Sequence, residues 1–174
     1  IVDSHGKEVP VGETGELLIR GKTVCRGYYG MPEATREAFD SEGYLRTGDI
    51  CYSDDEGYLF ITDRAKDIII KGGFNISPRE VEEALTQHPA VKEAAVVGVT
   101  GRRGEEEVRG FCVLAEGKTA EPTEVLAHCR KVVAAYKVPD RVDIVKNLPR
   151  SITGKVLRRE LRERVGEQGQ ERAK

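Results

Sequence analysis

Over the first 65 residues the apolar positions come in short runs cut by glycines and polar clusters, a spacing that predicts strands. Gly15-Glu16-Leu17-Leu18-Ile19-Arg20-Gly21 reads as a short buried strand bounded by glycines. Tyr44 to Ile50 and Tyr58 to Thr62 read as two more, joined by the polar turn Ser53-Asp54-Asp55-Glu56-Gly57. Residues 32–40 predict a short helix with Pro32 in its first turn. This part of the chain is mostly β.

From Asp63 the pattern changes. A charged cluster (Asp63, Arg64, Lys66, Asp67) runs into Ile68-Ile69-Ile70 and then into Gly72-Gly73, which predicts a strand and a hairpin turn. Ser77-Pro78-Arg79-Glu80 has the form of a capping box, with Ser77 accepting from the third helical amide and Glu80 reaching back. It opens a helix over 78–87 that turns Val81, Ala84 and Leu85 inward. Residues 91–99 and 108–115 predict strands separated by a charged loop, and 141–145 a third. Over 122–136, Val125, Leu126, Cys129, Val132, Val133 and Tyr136 fall on one helical stripe. A last helix is expected from Val156 to about Val165, laced by Arg159/Glu163 and Glu160/Arg164 pairs. The alternation predicts an α+β fold, a small mixed sheet with flanking helices, preceded by a β-rich segment.

Composition adds bounds. At 174 residues the chain is near one domain or slightly more, against a prior of roughly 150 residues per domain. Hydrophobic residues make up 39% and charged residues 33%, as in a globular chain. A net charge of -2 gives no broad attraction to nucleic acid. No apolar run approaches the roughly 20 residues of a membrane span, and residues 1–20 lack a signal-like pattern, so a cytoplasmic protein is expected. The cysteines (Cys25, Cys51, Cys112, Cys129) and histidines (His5, His88, His128) are scattered, so reduced thiols and no metal held by side chains are expected. The only methionine is Met31, which points to a piece of a longer chain.

Three places carry candidate chemistry. Tyr44-Leu45-Arg46-Thr47-Gly48-Asp49 ends a strand in a carboxylate able to accept two hydrogen bonds from a ribose diol, although Thr-Gly-Asp alone is equally a common turn. In Asp63 to Ser77, Arg64 offers a planar fork for phosphate or ribose oxygens and Gly72-Gly73 leave room for a narrow ligand, although a plain hairpin with a surface arginine fits as well. Ser151-Ile152-Thr153-Gly154-Lys155 places a lysine just ahead of a helix start, where an anion is favoured, although most such lysines only solvate.

Their order and spacing together resemble the adenylate-forming superfamily of acyl-CoA synthetases, luciferases and peptide-synthetase adenylation domains. Gly15 to Gly21, Arg26-Gly27-Tyr28-Tyr29-Gly30, Tyr44 to Asp49, Asp63 to Glu82 and Leu148 to Leu161 resemble successive late motifs of that family. The resemblance implies a β-rich end of a large N-terminal domain over residues 1–65, a C-terminal lid domain over 66–166 and a polar tail over 167–174. It implies ATP with Mg2+, CoA and a carboxylic acid as reactants, an acyl-adenylate intermediate, and a fragment that is inactive without the missing N-terminal domain. By matched position Asp49 would bind the ribose hydroxyls and Arg64 the ribose or phosphate region. Lys155 would be the catalytic lysine on carboxylate and α-phosphate, Lys66 the hinge, and Gly72, Gly73 and Phe74 the pantetheine passage. Arg103 would touch the CoA nucleotide, although its loop lacks the Pro-Asp common in CoA ligases. Thr62 stands where a glycine is frequent. An adenylation domain serving a carrier protein, or a binding module that has lost the chemistry, are the alternatives; the acid and the oligomeric state stay open.

Overall fold

The computed structural model describes residues 1–101 and 104–171. The chain divides into two compact units, Ile1–Lys66 and Asp67–Lys174. The fold is mixed α+β, with four α-helices and three small sheets among the described residues.

In the first unit, β1 (Gly15–Ile19), β2 (Leu45–Ser53) and β3 (Leu59–Arg64) form an antiparallel sheet in that order, with helix α1 (Pro32–Ala38) inserted between β1 and β2. The tight turn before β3 closes on Gly57 in the left-handed region. β1 is not the buried strand its sequence suggests: only Gly15 is buried and Ile19 is 38% exposed. The physical reason is the lack of a covering layer, since α1 buries no residue and the sheet has no second sheet against it within the unit. Gly15 itself is obligatory, because a Cβ there would lie 2.4 Å from the Val2 carbonyl oxygen.

The second unit holds nearly all of the core. β4 (Ile69–Lys71) and β5 (Phe74–Ile76) make a two-stranded hairpin, followed by α2 (Pro78–Thr86). β6 (Val91–Thr100) and β7 (Glu106–Leu114) pair antiparallel, and α3 (Pro122–Val132) crosses over to β8 (Arg141–Ile144), which lies parallel to β7. α4 (Arg158–Glu171) closes the chain's described part. The sheet is buried on both faces, and the alternation along β6 sorts its side chains. Val96 joins Val81, Leu85, Val108, Cys112, Val125 and Cys129 under α2 and α3, while Ala95 and Val97 join Phe111, Leu148 and Leu161 under α4.

Local chemistry explains the boundaries. Ser77 Oγ accepts from the Glu80 amide at 3.2 Å, and Pro78 occupies the first turn of α2. The Glu80 carboxylate is held by Lys137 Nζ at 2.6 and 2.7 Å. α3 stops at Val132, before the end of the predicted stripe: Val133 is extended (φ −116°, ψ 161°), and Ala135–Lys137 is a separate 3-10 turn. Val132 and Tyr136 are therefore each 40% exposed, while Val125 and Cys129 are buried. The last helix starts at Arg158, two residues later than expected from Val156, because Val156 is drawn into a β-bridge with Arg150. It also continues through the first part of the expected tail, as a run rich in Glu, Gln and Arg allows. The Arg159–Glu163 pair forms at 2.8 Å on its exposed side.

Candidate functional site

In the first unit, antiparallel register sets Asp49 of β2 directly opposite Arg64 of β3. Their side chains meet, Arg64 Nε to Asp49 Oδ1, at 2.9 Å. The approach to Asp49 is shaped by Gly48 at φ +70° and by Thr47, whose Oγ1 donates to the Leu17 carbonyl at 2.8 Å and accepts from the Asp49 amide at 3.1 Å. Thr62 uses its hydroxyl to donate to the Ile50 carbonyl at 3.1 Å, which stitches β3 to β2 beside the pair. The result is a carboxylate with 20% of its side chain exposed next to a guanidinium with 55% exposed, an acceptor and a planar donor facing solvent together. Such a pair can take a diol and an adjoining phosphate.

Lys66 sits exposed in the 3-10 turn Ala65–Asp67, and the division of the chain falls immediately after it.

In the second unit, Gly72 (φ +57°) and Gly73 (φ +83°) form the β4–β5 turn, and both need the left-handed conformation. A Cβ at either would meet nothing within 4 Å, so in this structure backbone conformation is what calls for glycine there. Phe74, 53% exposed, stacks on Tyr136 with ring centroids 4.5 Å apart. Arg103 lies outside the described residues.

Lys155 belongs to a second, separate loop. Ser151 and Lys155 exchange bonds: the Ser151 amide donates to the Lys155 carbonyl at 2.8 Å, and the Lys155 amide to Ser151 Oγ at 3.2 Å. Gly154 takes φ +82° between them. Arg150 grips the loop from below, donating from Nη1 to the Gly154 carbonyl at 2.6 Å while its other nitrogen pairs with Glu93 of β6. The Lys155 side chain is exposed and makes no ion pair among the described residues. α4 begins three residues further on, so the helix amides are not the lysine's immediate neighbours, contrary to the expectation from sequence. What holds the start of α4 is Arg158, whose Nη2 donates to both carboxylate oxygens of Glu82 at 2.8 and 3.0 Å, with Glu82 also accepting from the Val96 amide at 2.8 Å.

Sequence reasoning therefore found the residues that point outward and missed those that hold them. Glu82, Arg150 and Arg158 lie within the stretches that carry the resemblance and Tyr136 on the predicted stripe, but nothing local marks them, or Glu93, as braces, because their partners are remote in sequence. Cys51, Cys112 and Cys129 are free and buried, and burial pushes the Cys112 thiol up to about 12. Among the described residues no group of three His, Cys, Asp or Glu is placed to hold a metal ion.

Comparison with known proteins fits this geometry. Residues 80–155 match the AMP-binding enzyme C-terminal domain. The chain is 44% identical over 161 residues to the sulfoacetate–CoA ligase of Cupriavidus necator, covering 92% of this chain and 32% of that protein. It is likewise 44% identical over 163 residues to a long-chain-fatty-acid–CoA ligase of Escherichia coli, covering 94% of this chain and 29% of the relative. Among solved structures, ATP-bound MatB from Rhodopseudomonas palustris superposes with a TM-score of 0.88 at 38% identity, over 92% of this chain and 32% of that one. The chain spans 27% to 34% of the length of the curated relatives it matches. Residues 80–155 are thus an AMP-binding enzyme C-terminal domain, and the chain is homologous to acyl-CoA ligases over the C-terminal part of their length.

Proposed function

We propose that the chain is the C-terminal part of an ATP-dependent acyl-CoA synthetase of the cytoplasm, which activates a carboxylic acid and passes it to CoA. In the first half-reaction a carboxylate oxygen attacks the α-phosphorus of Mg2+-bound ATP and pyrophosphate leaves. In the second, the CoA sulfur bonds to the acyl carbon, its proton goes to solvent, and AMP departs. Asp49 takes the ribose hydroxyls and Arg64 the neighbouring oxygens. Lys155 places a positive charge where negative charge gathers between carboxylate and α-phosphate. Gly72, Gly73 and Phe74 serve the thiol side, and the second unit turns about Lys66 between the two steps.

The observation that supports this reading most is the Lys155 loop: a braced turn that holds a lysine with no ion-pair partner among the described residues. A lysine kept for solubility alone would need no such frame. The test uses the full-length ligase. Lys155→Ala is expected to abolish most acid-dependent ATP–pyrophosphate exchange while CoA still discharges supplied acyl-adenylate. Unchanged exchange with slowed discharge would refute the role given to Lys155. Exchange by the 174-residue chain alone would refute its dependence on an N-terminal domain.

A further inference from the structure

The β4–β5 hairpin cannot hold its own position. It has three residue pairs, and a two-stranded ribbon of that length is not independently stable in water. Its base is secured by Ile69 and Ile76, which face each other and are both buried in the core under α2 and α3. Its tip is not in the core: Ile70 is 60% and Phe74 53% exposed.

The tip is fixed from outside, at the residue immediately before Gly72. Lys71 Nζ meets Asp140 Oδ1 at 2.5 Å. Asp140 is itself locked onto the start of β7, with Oδ2 accepting from the Val108 amide at 2.8 Å and its own amide donating to the Val108 carbonyl at 2.8 Å. One carboxylate thus ties the hairpin to the backbone of the central strand. Two further attachments flank it. Glu106 accepts from the Ile70 amide at 2.5 Å, and Tyr136, four residues before Asp140, stacks on Phe74. The segment after α3 therefore works as a bracket for the glycine turn.

We propose that Asp140 is a positioning residue for the thiol-transfer half-reaction: through Lys71 it fixes where the Gly72–Gly73 turn stands on the second unit. This rests on the reading of that turn as the thiol side. Lys71 and Asp140 touch no reactant in the proposal; they act through the turn. The pair is only partly shielded, with 29% and 35% of the side chains exposed, so its value lies in orientation more than in stability.

The experiment is done on the full-length ligase, following ATP–pyrophosphate exchange and the CoA-dependent discharge of preformed acyl-adenylate separately. Lys71→Met and Asp140→Asn each remove the ion pair, and the amide oxygen introduced by Asp140→Asn can still accept from the Val108 backbone. Each is expected to slow discharge about tenfold or more while leaving exchange within about twofold. The double variant should be no slower than either single one, and Lys71→Arg should restore discharge. Gly73→Ala serves as the control on the underlying reading. If Gly73→Ala slows discharge while Lys71→Met and Asp140→Asn do not, the bracket is overturned and the thiol-side reading stands. If Gly73→Ala leaves discharge unchanged, the reading falls and the proposal with it. Equal losses in exchange and discharge for Lys71→Met and Asp140→Asn would also overturn the proposal, since a merely structural role would slow both.

Discussion

At Arg150 a single guanidinium does two jobs. One nitrogen holds the Gly154 carbonyl and another holds Glu93 on β6, so the loop bearing Lys155 is referred to the central sheet through one side chain. A planar fork meets the two acceptors from separate nitrogens, whereas an ammonium would have to reach both from one atom. On the proposed role of Lys155, Arg150→Ala in the full-length protein is therefore expected to depress pyrophosphate exchange by roughly tenfold to a hundredfold, with Arg150→Lys only a partial rescue. Discharge of supplied acyl-adenylate should stay near normal. Equal rates for Arg150→Ala and the parent in exchange would show that the loop keeps its shape without the bond.

At the same scale, the difference between what sequence reveals and what it hides has a simple origin. Asp49, Arg64, Gly72, Gly73 and Lys155 are legible because each lies inside a contiguous motif whose neighbours set its conformation. The braces are not, because they join residues far apart. Lys71 and Asp140 are 69 residues apart and Arg158 and Glu82 are 76 apart, and nothing local marks either pair. Tyr136 is legible only as part of a helical stripe, and the early end of α3 takes it off that stripe and onto Phe74.

Among the elements, the β7–β8 seam holds the most exposed weakness of an otherwise apolar sheet. Arg109, 9% exposed, donates from Nη2 to Asp143 at 2.9 Å, and its buried Nε has no hydrogen-bond partner. Asp143 also receives Arg141 at 2.8 Å. Removing the acceptor strands a shielded cation, so Asp143→Ala is expected to cost about 3–5 kcal/mol, whereas replacing the cation by an apolar chain of similar volume, Arg109→Met, should cost far less. Urea unfolding of both variants checks this; a cheaper Asp143→Ala than Arg109→Met would place the stress elsewhere. The strands themselves are readable from β-branched runs bounded by Gly and polar turns. Which of them would be parallel is not, because that depends on α3 crossing over before β8.

At the level of the whole chain, the distribution of the core decides how it comes apart. Of the buried hydrophobic side chains among the described residues, Cys51 alone belongs to Ile1–Lys66; the rest belong to the second unit. Stability follows buried apolar area, so the two units should open at different denaturant concentrations. The cysteines are built-in reporters, with Cys51 buried in the first unit and Cys112 and Cys129 in the second, while Cys25 is already exposed. A thiol reagent should label Cys25 at once, Cys51 at low urea, and Cys112 with Cys129 only at the main transition. Simultaneous labelling of the three buried thiols would mean that the chain unfolds as one body.

The edge strand β3 bears on how that transition can be observed at all. Tyr58, just before β3, and Leu59, Phe60 and Ile61 within it are 65%, 52%, 43% and 52% exposed in the folded chain, a run of consecutive apolar side chains open to solvent. Dyes that brighten on greasy surfaces should glow with the native molecule and give little further rise as it melts. The sequence has no tryptophan to supply an alternative optical signal. Far-ultraviolet dichroism, which reports mainly the longer helices α2, α3 and α4, is the probe whose baseline that exposed run leaves untouched.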